Sequence, residues 1–588
     1  MRAIRRHPLV AGWIALGVLL AAAFWPVVAG RQSLLALDAG VLADGPYGYA
    51  GPRPAPAVFD PGASAIKYVP YTKLVSMSWR RGELPFWNPY NGCGVPLWAN
   101  GEAFACAPLR IPLYVAPTPP VWNLFYLGRL WLAGGLAFSL AAALGLAFLP
   151  AVVAGGAYML SGYLLLSLNL FHLDVDALLP GLLLACEALL RKRSAGAFAA
   201  AALASWSMCL GGSQQALAVD LVLAIVWVLV RRRDRAGPGR AGLAFLCGAA
   251  GALPHWLPFL ELARRSVSLH TLEGIRSGSA VISAAAIPQL AGPWARWGSA
   301  PPFYYAGVSV VVLALAGAWF AWLRRDRPAP AFRLLAVIAL LELAKIFGAP
   351  GSVLFGSLPG LSLVWWVKYA APLFLSLALL SGYGVDRLAG LVRARRSGAV
   401  RAVLAAVVVV ELVSVRPGPF PAPHDPLRPA PYIGWLRDRL AKEPGWRICG
   451  VGSVLMPDMA AAFELPDVRL EDTLIDRDQY RLLFDGISAP KPPRLSMFVT
   501  LDELDGRRLA ALRRLGVRWL LTARDWQPPL AQRPALDRVY RDEIAVWRVT
   551  GAKPFAGFPE RGRRWFRAGC LAGAVVGPGL LLAGLFLL

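Results

Sequence analysis

Charged residues are scarce in this chain of 588 residues. They make up 16% of it, whereas hydrophobic residues make up 57%, and the mean hydropathy is +0.51. Soluble domains carry charge on about a quarter of their residues, so this deficit indicates a protein of the lipid bilayer. Seven cysteines are too few for a disulfide scaffold, and the apolar content excludes a disordered chain. P-loop, HExxH and paired CxxC motifs are also missing, so the sequence does not support ATP-driven transport.

Acidic residues are the scarcer charge type, with 35 Asp and Glu against 60 Lys and Arg and a pI of about 10.3. The basic residues occur in short runs between apolar segments, which indicates membrane topology rather than nucleic-acid binding. Five runs share one side of the membrane if the helices alternate, and the positive-inside rule makes that side the cytoplasm. These runs are Arg2, Arg5 and Arg6; Arg191 to Arg193; Arg231 to Arg233 with Arg235; Arg324, Arg325 and Arg327; and Arg393, Arg395, Arg396 and Arg401.

Stretches of about 20 mainly apolar residues predict roughly twelve membrane-spanning helices. The first is predicted to be an uncleaved helix rather than a signal peptide, because its apolar run continues without a small-residue cleavage site. The fold class is therefore mainly α, a polytopic helical membrane protein whose N-terminus is cytoplasmic. The stretches lie near 9–30, 121–147, 150–168, 174–190, 195–211, 216–230, 241–259, 305–323, 331–347, 363–385, 400–415 and 568–588.

Three larger segments, 31–120, 261–304 and 416–560, are predicted to be extracytoplasmic. Only 416–560 has an ordinary soluble composition, and it predicts a small α/β domain joined to the membrane core of residues 1–415 by a Pro-rich linker. Its predicted helices are Tyr432–Lys442 and Asp502–Leu515, and its predicted strands are Trp446–Val451, Val517–Thr522 and Ala545–Thr550.

The C-terminal segment, 561–588, is predicted to be the last transmembrane helix. It begins with a basic run on the predicted outer side, against the positive-inside rule. Either these residues contact anionic lipid head groups, or the helix count is wrong by one. The run consists of Arg561, Arg563, Arg564 and Arg567.

The first outer segment, 31–120, has the densest set of unusual residues. Ile66–Trp79 is amphipathic with aromatic and basic residues, which predicts a helix lying along the membrane surface. Cys93 and Cys106 both lie in this segment, and the sequence does not distinguish a disulfide bond between them from two free thiols. A loop of this length is costly to order unless it builds something, so we expect the functional site here.

The stretch Arg81-Gly-Glu-Leu-Pro-Phe-Trp-Asn-Pro-Tyr-Asn-Gly-Cys-Gly-Val-Pro-Leu-Trp-Ala-Asn100 resembles the signature of the YfhO-type bacterial membrane proteins, which belong with the GT-C superfamily of glycosyltransferases. Weaker similarities extend over nearly the whole chain. They are Gly211-Gly-Ser-Gln-Gln215, Leu253-Pro-His-Trp-Leu-Pro258 with Glu261, Leu358-Pro-Gly-Leu361 with Lys368 and Tyr369, and Leu515-Gly-Val-Arg-Trp-Leu520.

The resemblance implies an enzyme of the bacterial inner membrane that takes a sugar from a polyprenyl-phosphate carrier. The acceptor would be an envelope polymer or lipid outside the membrane. An acidic residue of the first outer loop would act as general base, and we predict Asp38 first and Asp60 second. The chain departs from the family pattern here, because Ala63 and Ser64 occupy the positions before Tyr68-Val-Pro70 where an acid is expected.

Basic groups near these acids are predicted to hold the lipid phosphate as charge-assisted donors. The phosphate candidates are Lys67, Lys73, Arg80, Arg81 and Lys368, and the further substrate-binding candidates are Glu83, Trp87, Asn88, Asn100 and Glu102. Structural readings stand beside these predictions: Asp60-Pro-Gly is also an ordinary turn, Glu83 also suits an ion pair, and Trp87 also suits an interfacial anchor.

Other acidic groups leave further alternatives open. His172, Asp174 and Asp176 form a weak cation motif, for which a solvated loop is favoured, so no cofactor is assigned and a divalent cation stays an alternative. Glu342 and Lys345 are predicted to neutralise each other within a helix. Together with Asp220 they also permit a transporter or flippase of envelope glycolipids, although no internal repeat is visible. An inactive assembly scaffold is the third alternative.

Overall fold

The computed structural model describes most of the chain. The described residues are 8–35, 37, 46–47, 60, 62–192, 194–268, 282, 284–292, 305–323, 329–348, 364–415, 420–421, 427–488, 497–560 and 563–586. Asp38, Arg561, the 358–361 motif and most of the Pro-rich linker lie outside them.

Helices dominate the described residues, and each of the twelve predicted apolar stretches contains one. Five are long and apolar enough to cross a membrane, and a sixth is added if the pair Gly237–Gly251 and Leu253–Arg265, bent by 70°, counts as one span. The chain is therefore a multi-pass membrane protein, and the count of about twelve spans stays a prediction. The five are Pro119–Ala143, Phe148–Leu166, Gln214–Arg231, Ala394–Ser414 and Arg563–Gly584.

Several other helices complete the bundle and its connections. The helices of the apolar stretches are Pro8–Ala23, Trp25–Val28, Leu179–Arg191, Ala195–Cys209, Val308–Leu323, Ala329–Phe347 and Ala370–Ala389. The span Phe148–Leu166 consists of the helices Phe148–Met159 and Gly162–Leu166, and the short helical turns of the bundle are Leu173–Asp176, Ala284–Leu290 and Trp366–Tyr369.

One end of the bundle is fastened by charged side chains. Glu187 accepts hydrogen bonds from Arg191 at 2.7 Å and from Arg231 at 2.8 Å, and Arg191 also donates to the Ala143 carbonyl at 2.5 Å. Three helix C-termini therefore meet where the basic runs were predicted. Arginines at helix C-termini also complement the partial negative charge of the last carbonyl groups.

The region 427–560 forms a four-stranded sheet in the order Leu536–Arg541, Ile544–Val549, Val517–Ala523, Arg447–Gly450. The first two pairings are antiparallel and the last is parallel. The predicted strands and helices are thus present, and the helices and remaining strands of this region are Pro431–Lys442, Met459–Phe463, Arg477–Ile487, Gly506–Arg514, Leu530–Ala535, Leu470–Asp472, Leu474–Asp476 and Met497–Val499. Whether the region is a separate domain stays a prediction.

Most of the helical part of the first outer segment packs against this region. Val69–Arg80 buries seven of its twelve residues and contacts Met459–Phe463, so the prediction of a helix lying along the membrane surface is wrong for all but its exposed end at Trp79 and Arg80. The signature stretch folds into a hairpin of Trp87–Asn88 and Val95–Pro96. Its turn is held by Gln479, whose amide donates to the Gly92 and Gly94 carbonyls. The other elements of this segment and its neighbours are Gln32–Ser33, Ser64–Tyr68, Pro108–Arg110, Ile111–Val115, Ser266–Ser268 and Phe420–Pro421.

The last helix, Arg563–Phe586, begins at the end of the bundle opposite the basic runs. Gly569 packs against the backbone of Leu253, and Gly584 packs against the ring of Phe198, close after the Arg191 run. The Arg563 end therefore lies on the same side as the first outer segment. This placement agrees with the predicted side of the basic run, and the helix count stays a prediction.

Candidate functional site

A cavity of about 790 Å³ opens where the first outer segment, the helix bundle and the 427–560 region meet. One part of its wall is polar and the other is apolar and aromatic. The polar part contains Asp60, Lys67, Asn100, Glu102, His172, Gln214, Gln215, Lys368, Glu471 and Asp472. The apolar part includes Phe171, Trp256, Phe259, Leu262, Val364 and Trp365.

Lys67 stands at the centre of the polar wall. It lies in a single π-helical turn, Ser64–Tyr68, a local widening that often marks functional positions. Its ammonium group contacts the Glu102 carboxylate and lies 3.0 Å from the Glu471 carboxylate. Burial alone would lower the pKa of Lys67, but the nearby carboxylates outweigh it and hold that pKa well above its usual value. Lys67 is therefore a permanent cation.

Asp472 is the second buried carboxylate of this wall. Its Oδ2 accepts a hydrogen bond from the Asn100 amide at 2.7 Å, and its Oδ1 accepts from the backbone N–H groups of Thr473 and Leu474. Burial raises the pKa of Asp472 to about 7, although Lys67 opposes the shift. Near neutral pH this group can both take and release a proton, as a general acid or base must.

Asp60 faces the cavity from the start of the helical segment that carries Lys67. Its Oδ1 accepts hydrogen bonds from the N–H groups of Gly62 at 3.1 Å and Ala63 at 3.2 Å, which caps the first turn. Desolvation raises the pKa of Asp60, while these N–H groups and Lys67 oppose that effect. The turn predicted from Asp60-Pro-Gly and a carboxylate at the cavity are thus both present.

Lys368 lies on the side of the cavity nearest the bundle, in the short turn Trp366–Tyr369. Its ammonium nitrogen is 2.7 Å from Nδ1 of His172. The 172–176 segment is buried, so the interpretation as a solvated loop is wrong. Asp174 lies between Arg110 and Arg129, at 2.5 and 2.6 Å, and is thereby neutralised. Among the described residues, no group of three His, Cys, Asp or Glu side chains could hold a metal ion.

Gly212 shapes the cavity wall at the turn before Gln214–Arg231. Its φ is +78°, a left-handed conformation that glycine adopts without strain. A Cβ atom here would collide with the ring of Phe104 and lie 2.5 Å from the Gly101 carbonyl oxygen. The next residues, Gln214 and Gln215, line the cavity, so the Gly-Gly-x-x-Gln turn of the resemblance lies at this site.

The structure brings five of the predicted site residues to the cavity: Asp60, Lys67, Asn100, Glu102 and Lys368. Six others lie elsewhere. Lys73 donates to the Ala462 carbonyl, Arg80 donates to the Val115 carbonyl, and Asn88 is buried in the hairpin, where it accepts from Tyr90 N–H. Arg81 and Glu83 are exposed, and Trp87 packs over Gly94 in the hairpin.

Sequence reasoning missed Glu471 and Asp472, because nothing local in the 416–560 region distinguishes them from other acids. Their strand, Leu470–Asp472, pairs with Met497–Val499 at a distance in sequence that no local pattern reveals. Glu342 and Lys345, predicted to neutralise each other, form no direct salt bridge within the described region but lie within electrostatic reach of each other. Lys345 also lies over the ring of Tyr369, 5.6 Å from its centroid. Cys93 and Cys106 are free thiols.

Comparisons with known proteins bear on the fold. No protein-family model and no curated protein matches the chain. The arabinofuranosyltransferase AftD from Mycobacteria matches 93% of it at 17% identity, with a TM-score of 0.54, and a mutant of AftD gives a TM-score of 0.51 at 16% identity. ArnT from Cupriavidus metallidurans, solved with undecaprenyl phosphate bound, gives 0.44 at 14% identity over 93% of this chain and all of ArnT.

The chain spans about 40% of the length of AftD. At this level of identity, the similarity concerns the fold and leaves the YfhO-type assignment a prediction. The fold of this chain is therefore similar to that of AftD, and membership of the GT-C superfamily stays a prediction.

Proposed function

We propose that this protein is a membrane glycosyltransferase that moves a sugar from a polyprenyl-phosphate carrier to a cell-envelope acceptor on the extracytoplasmic side. One observation carries the proposal: a single cavity combines carboxylates, two lysines and an aromatic apolar wall at the end of a membrane bundle. The AftD fold supports it, since AftD is by name an arabinofuranosyltransferase. The sugar, the acceptor and the inner-membrane location belong to this proposal.

The carboxylate facing the cavity would act on the acceptor. As the acceptor oxygen bonds to the anomeric carbon, its proton would pass to a carboxylate, and we assign this role to Asp60 because it lines the cavity. Two backbone N–H groups donate to its Oδ1, so Oδ2 would accept the proton of the acceptor hydroxyl. Asp38 remains the other candidate base from the sequence. Asp472, with its pKa about 7, is a further proton acceptor in the same wall.

The leaving group would be the polyprenyl phosphate. When the bond between the anomeric carbon and the phosphate oxygen breaks, negative charge increases on the phosphate. Lys368 lies on the cavity side nearest the bundle, where its ammonium group can neutralise that charge. Trp256, Phe259 and Trp365 provide apolar surface for the sugar face or the first prenyl units.

The test is sugar transfer in proteoliposomes containing purified protein, polyprenyl-phosphate donors labelled in the sugar, and an envelope acceptor fraction. We expect transfer by the wild type and a loss of about 10² to 10⁴ in turnover for Asp60→Asn. The matched control is Asp525→Asn, in the 427–560 region, at an aspartate whose side chain is 88% exposed and does not line the cavity.

The outcomes separate the alternatives. If Asp60→Asn keeps full activity and Asp38→Asn loses it, Asp38 is the general base. If both variants keep full activity, neither aspartate of the first outer segment is the general base. If folded wild-type protein transfers no sugar from any donor but moves labelled glycolipid across the bilayer, the transporter alternative replaces the proposal.

A further inference from the structure

Five arginines and two tryptophans form an exposed band on the cavity side of the bundle, which we call the basic collar. Arg80 and Arg81 end the helix Val69–Arg80, and the other three arginines stand in the first two turns of the last helix. The members are Trp79, Arg80, Arg81, Arg563, Arg564, Trp565 and Arg567, all exposed.

Aromatic contacts join the two parts of the collar. Phe566 packs edge-on against Phe86 and Trp98, with ring centroids 5.1 Å apart in both pairs. Arg563 lies over the ring of Phe86 at 5.2 Å and within electrostatic reach of Glu83. Glu83 is two residues from Arg81 in the chain, so its interaction with Arg563 places the start of the last helix close to Arg81. The arginines of the two segments therefore form one surface. Glu83 and Glu560 offset part of this positive charge.

The position of the collar along the last helix indicates what it meets. One and two turns after Arg567, the helix exposes Leu571 and Val575, whose exposed fractions are 69% and 76%. An apolar side this exposed belongs in lipid, and the helix crosses the bundle to Phe198 at the other end. The arginines therefore stand at the boundary between hydrocarbon and water, where tryptophans also accumulate in membrane proteins.

We propose that the basic collar binds the phosphate groups of anionic phospholipids in the leaflet on the cavity side. The collar holds its arginines against the general rule that basic residues stay on the cytoplasmic side. The guanidinium groups of Arg81, Arg564 and Arg567 make no hydrogen bond or ion pair in the described region, so they are available to ligands. Arginine suits phosphate oxygens because its planar fork donates two parallel hydrogen bonds. This binding is independent of the glycosyl transfer proposed above.

The experiment measures lipid retention by the full-length protein in nanodiscs of phosphatidylglycerol and phosphatidylcholine, using native mass spectrometry and titration of the lipid ratio. We expect the wild type to retain phosphatidylglycerol preferentially, and the preference to weaken with salt. The variant Arg81→Gln/Arg564→Gln/Arg567→Gln should lose about fivefold in apparent affinity for each arginine removed.

The matched control removes three other exposed arginines, in Arg514→Gln/Arg524→Gln/Arg533→Gln, and should keep the wild-type preference. Thermal unfolding in pure phosphatidylcholine checks that both variants are folded. Equal phosphatidylglycerol retention by wild type and collar variant would overturn the proposal. So would collar-dependent binding of inorganic phosphate or polyphosphate in phosphatidylcholine discs as tight as that of the lipid, because the ligand would then be a soluble phosphate.

Discussion

The ammonium group of Lys67 lies 3.0 Å from the carboxylate of Glu471. Lys67 comes from the first outer segment and Glu471 from the region after the main helical bundle. One buried cation therefore joins two parts of the chain that are far apart in sequence, and it does so in the wall of the candidate active site.

We expect Lys67→Met to destabilise the protein by about 3–5 kcal/mol at neutral pH, because it leaves buried carboxylates without their cation. The measurement is unfolding in detergent followed by tryptophan fluorescence. Lys73→Met is the matched control: Lys73 is half-buried and donates to a backbone carbonyl, so its replacement should cost about 1 kcal/mol. Equal losses in both variants would contradict the role of Lys67.

Asp472 makes a specific pH dependence testable. Its pKa is about 7 in the folded protein against 3.8 as the ordinary value, so between these limits the folded state binds a proton that the unfolded state lacks. The contribution of Asp472 to stability is therefore most favourable below about pH 4 and falls as the pH rises to about 7.

Asp472→Asn should remove this dependence. Relative to wild type, the variant should gain stability as the pH rises from about 4 to about 7, by a few kcal/mol at most, since one pKa unit corresponds to about 1.4 kcal/mol. Parallel stability curves for the two proteins over this range would show that Asp472 does not titrate near neutrality. Asp525→Asn, at an exposed position, is expected to leave the curve unchanged.

Gly212→Ala should lower stability and sugar transfer together, because the new methyl group meets Phe104 and the Gly101 carbonyl at the cavity wall. Gly145→Ala is the comparison, since Gly145 has φ +97° but nothing within 4 Å of a Cβ atom. Gly145→Ala should show backbone strain alone, about 1 kcal/mol, whereas Gly212→Ala should exceed it by at least about 1 kcal/mol. If both variants lose the same free energy of unfolding, Phe104 moves aside to relieve the collision, and the cavity wall is not rigid at this position.

Asp174→Asn should destabilise the bundle by about 3–5 kcal/mol, because two buried arginines, Arg110 and Arg129, then lose their shared anion. Thermal unfolding in detergent measures this loss. Addition of Mg²⁺ or EDTA should leave the melting temperature of the wild type unchanged, since Asp174 is already paired. A metal-dependent shift that disappears in Asp174→Asn would restore the cation alternative.

Local patterns predicted the helices well, because apolar content and length are properties of a continuous stretch. They also predicted the helices and strands around 432–550 and placed Lys67, Asn100 and Glu102 among the site candidates. They could not reveal that Val69–Arg80 is covered by Met459–Phe463, because an amphipathic face has the same sequence pattern against lipid and against protein. Lys73 and Arg80 are also basic residues of this helical segment, so the sequence could not show that Lys67 alone among the three lines the cavity.

The residues of the cavity wall are synthesised at widely separated times. Asp60, Lys67 and Glu102 are synthesised early, whereas Glu471 and Asp472 emerge from the ribosome only after the helices up to Val415. During this interval Lys67 has Glu102 alone as its partner, and the pocket stays open on one side. A nascent chain halted before residue 470 would therefore lack part of the cavity wall, so the cavity is complete only after most of the polypeptide has been made.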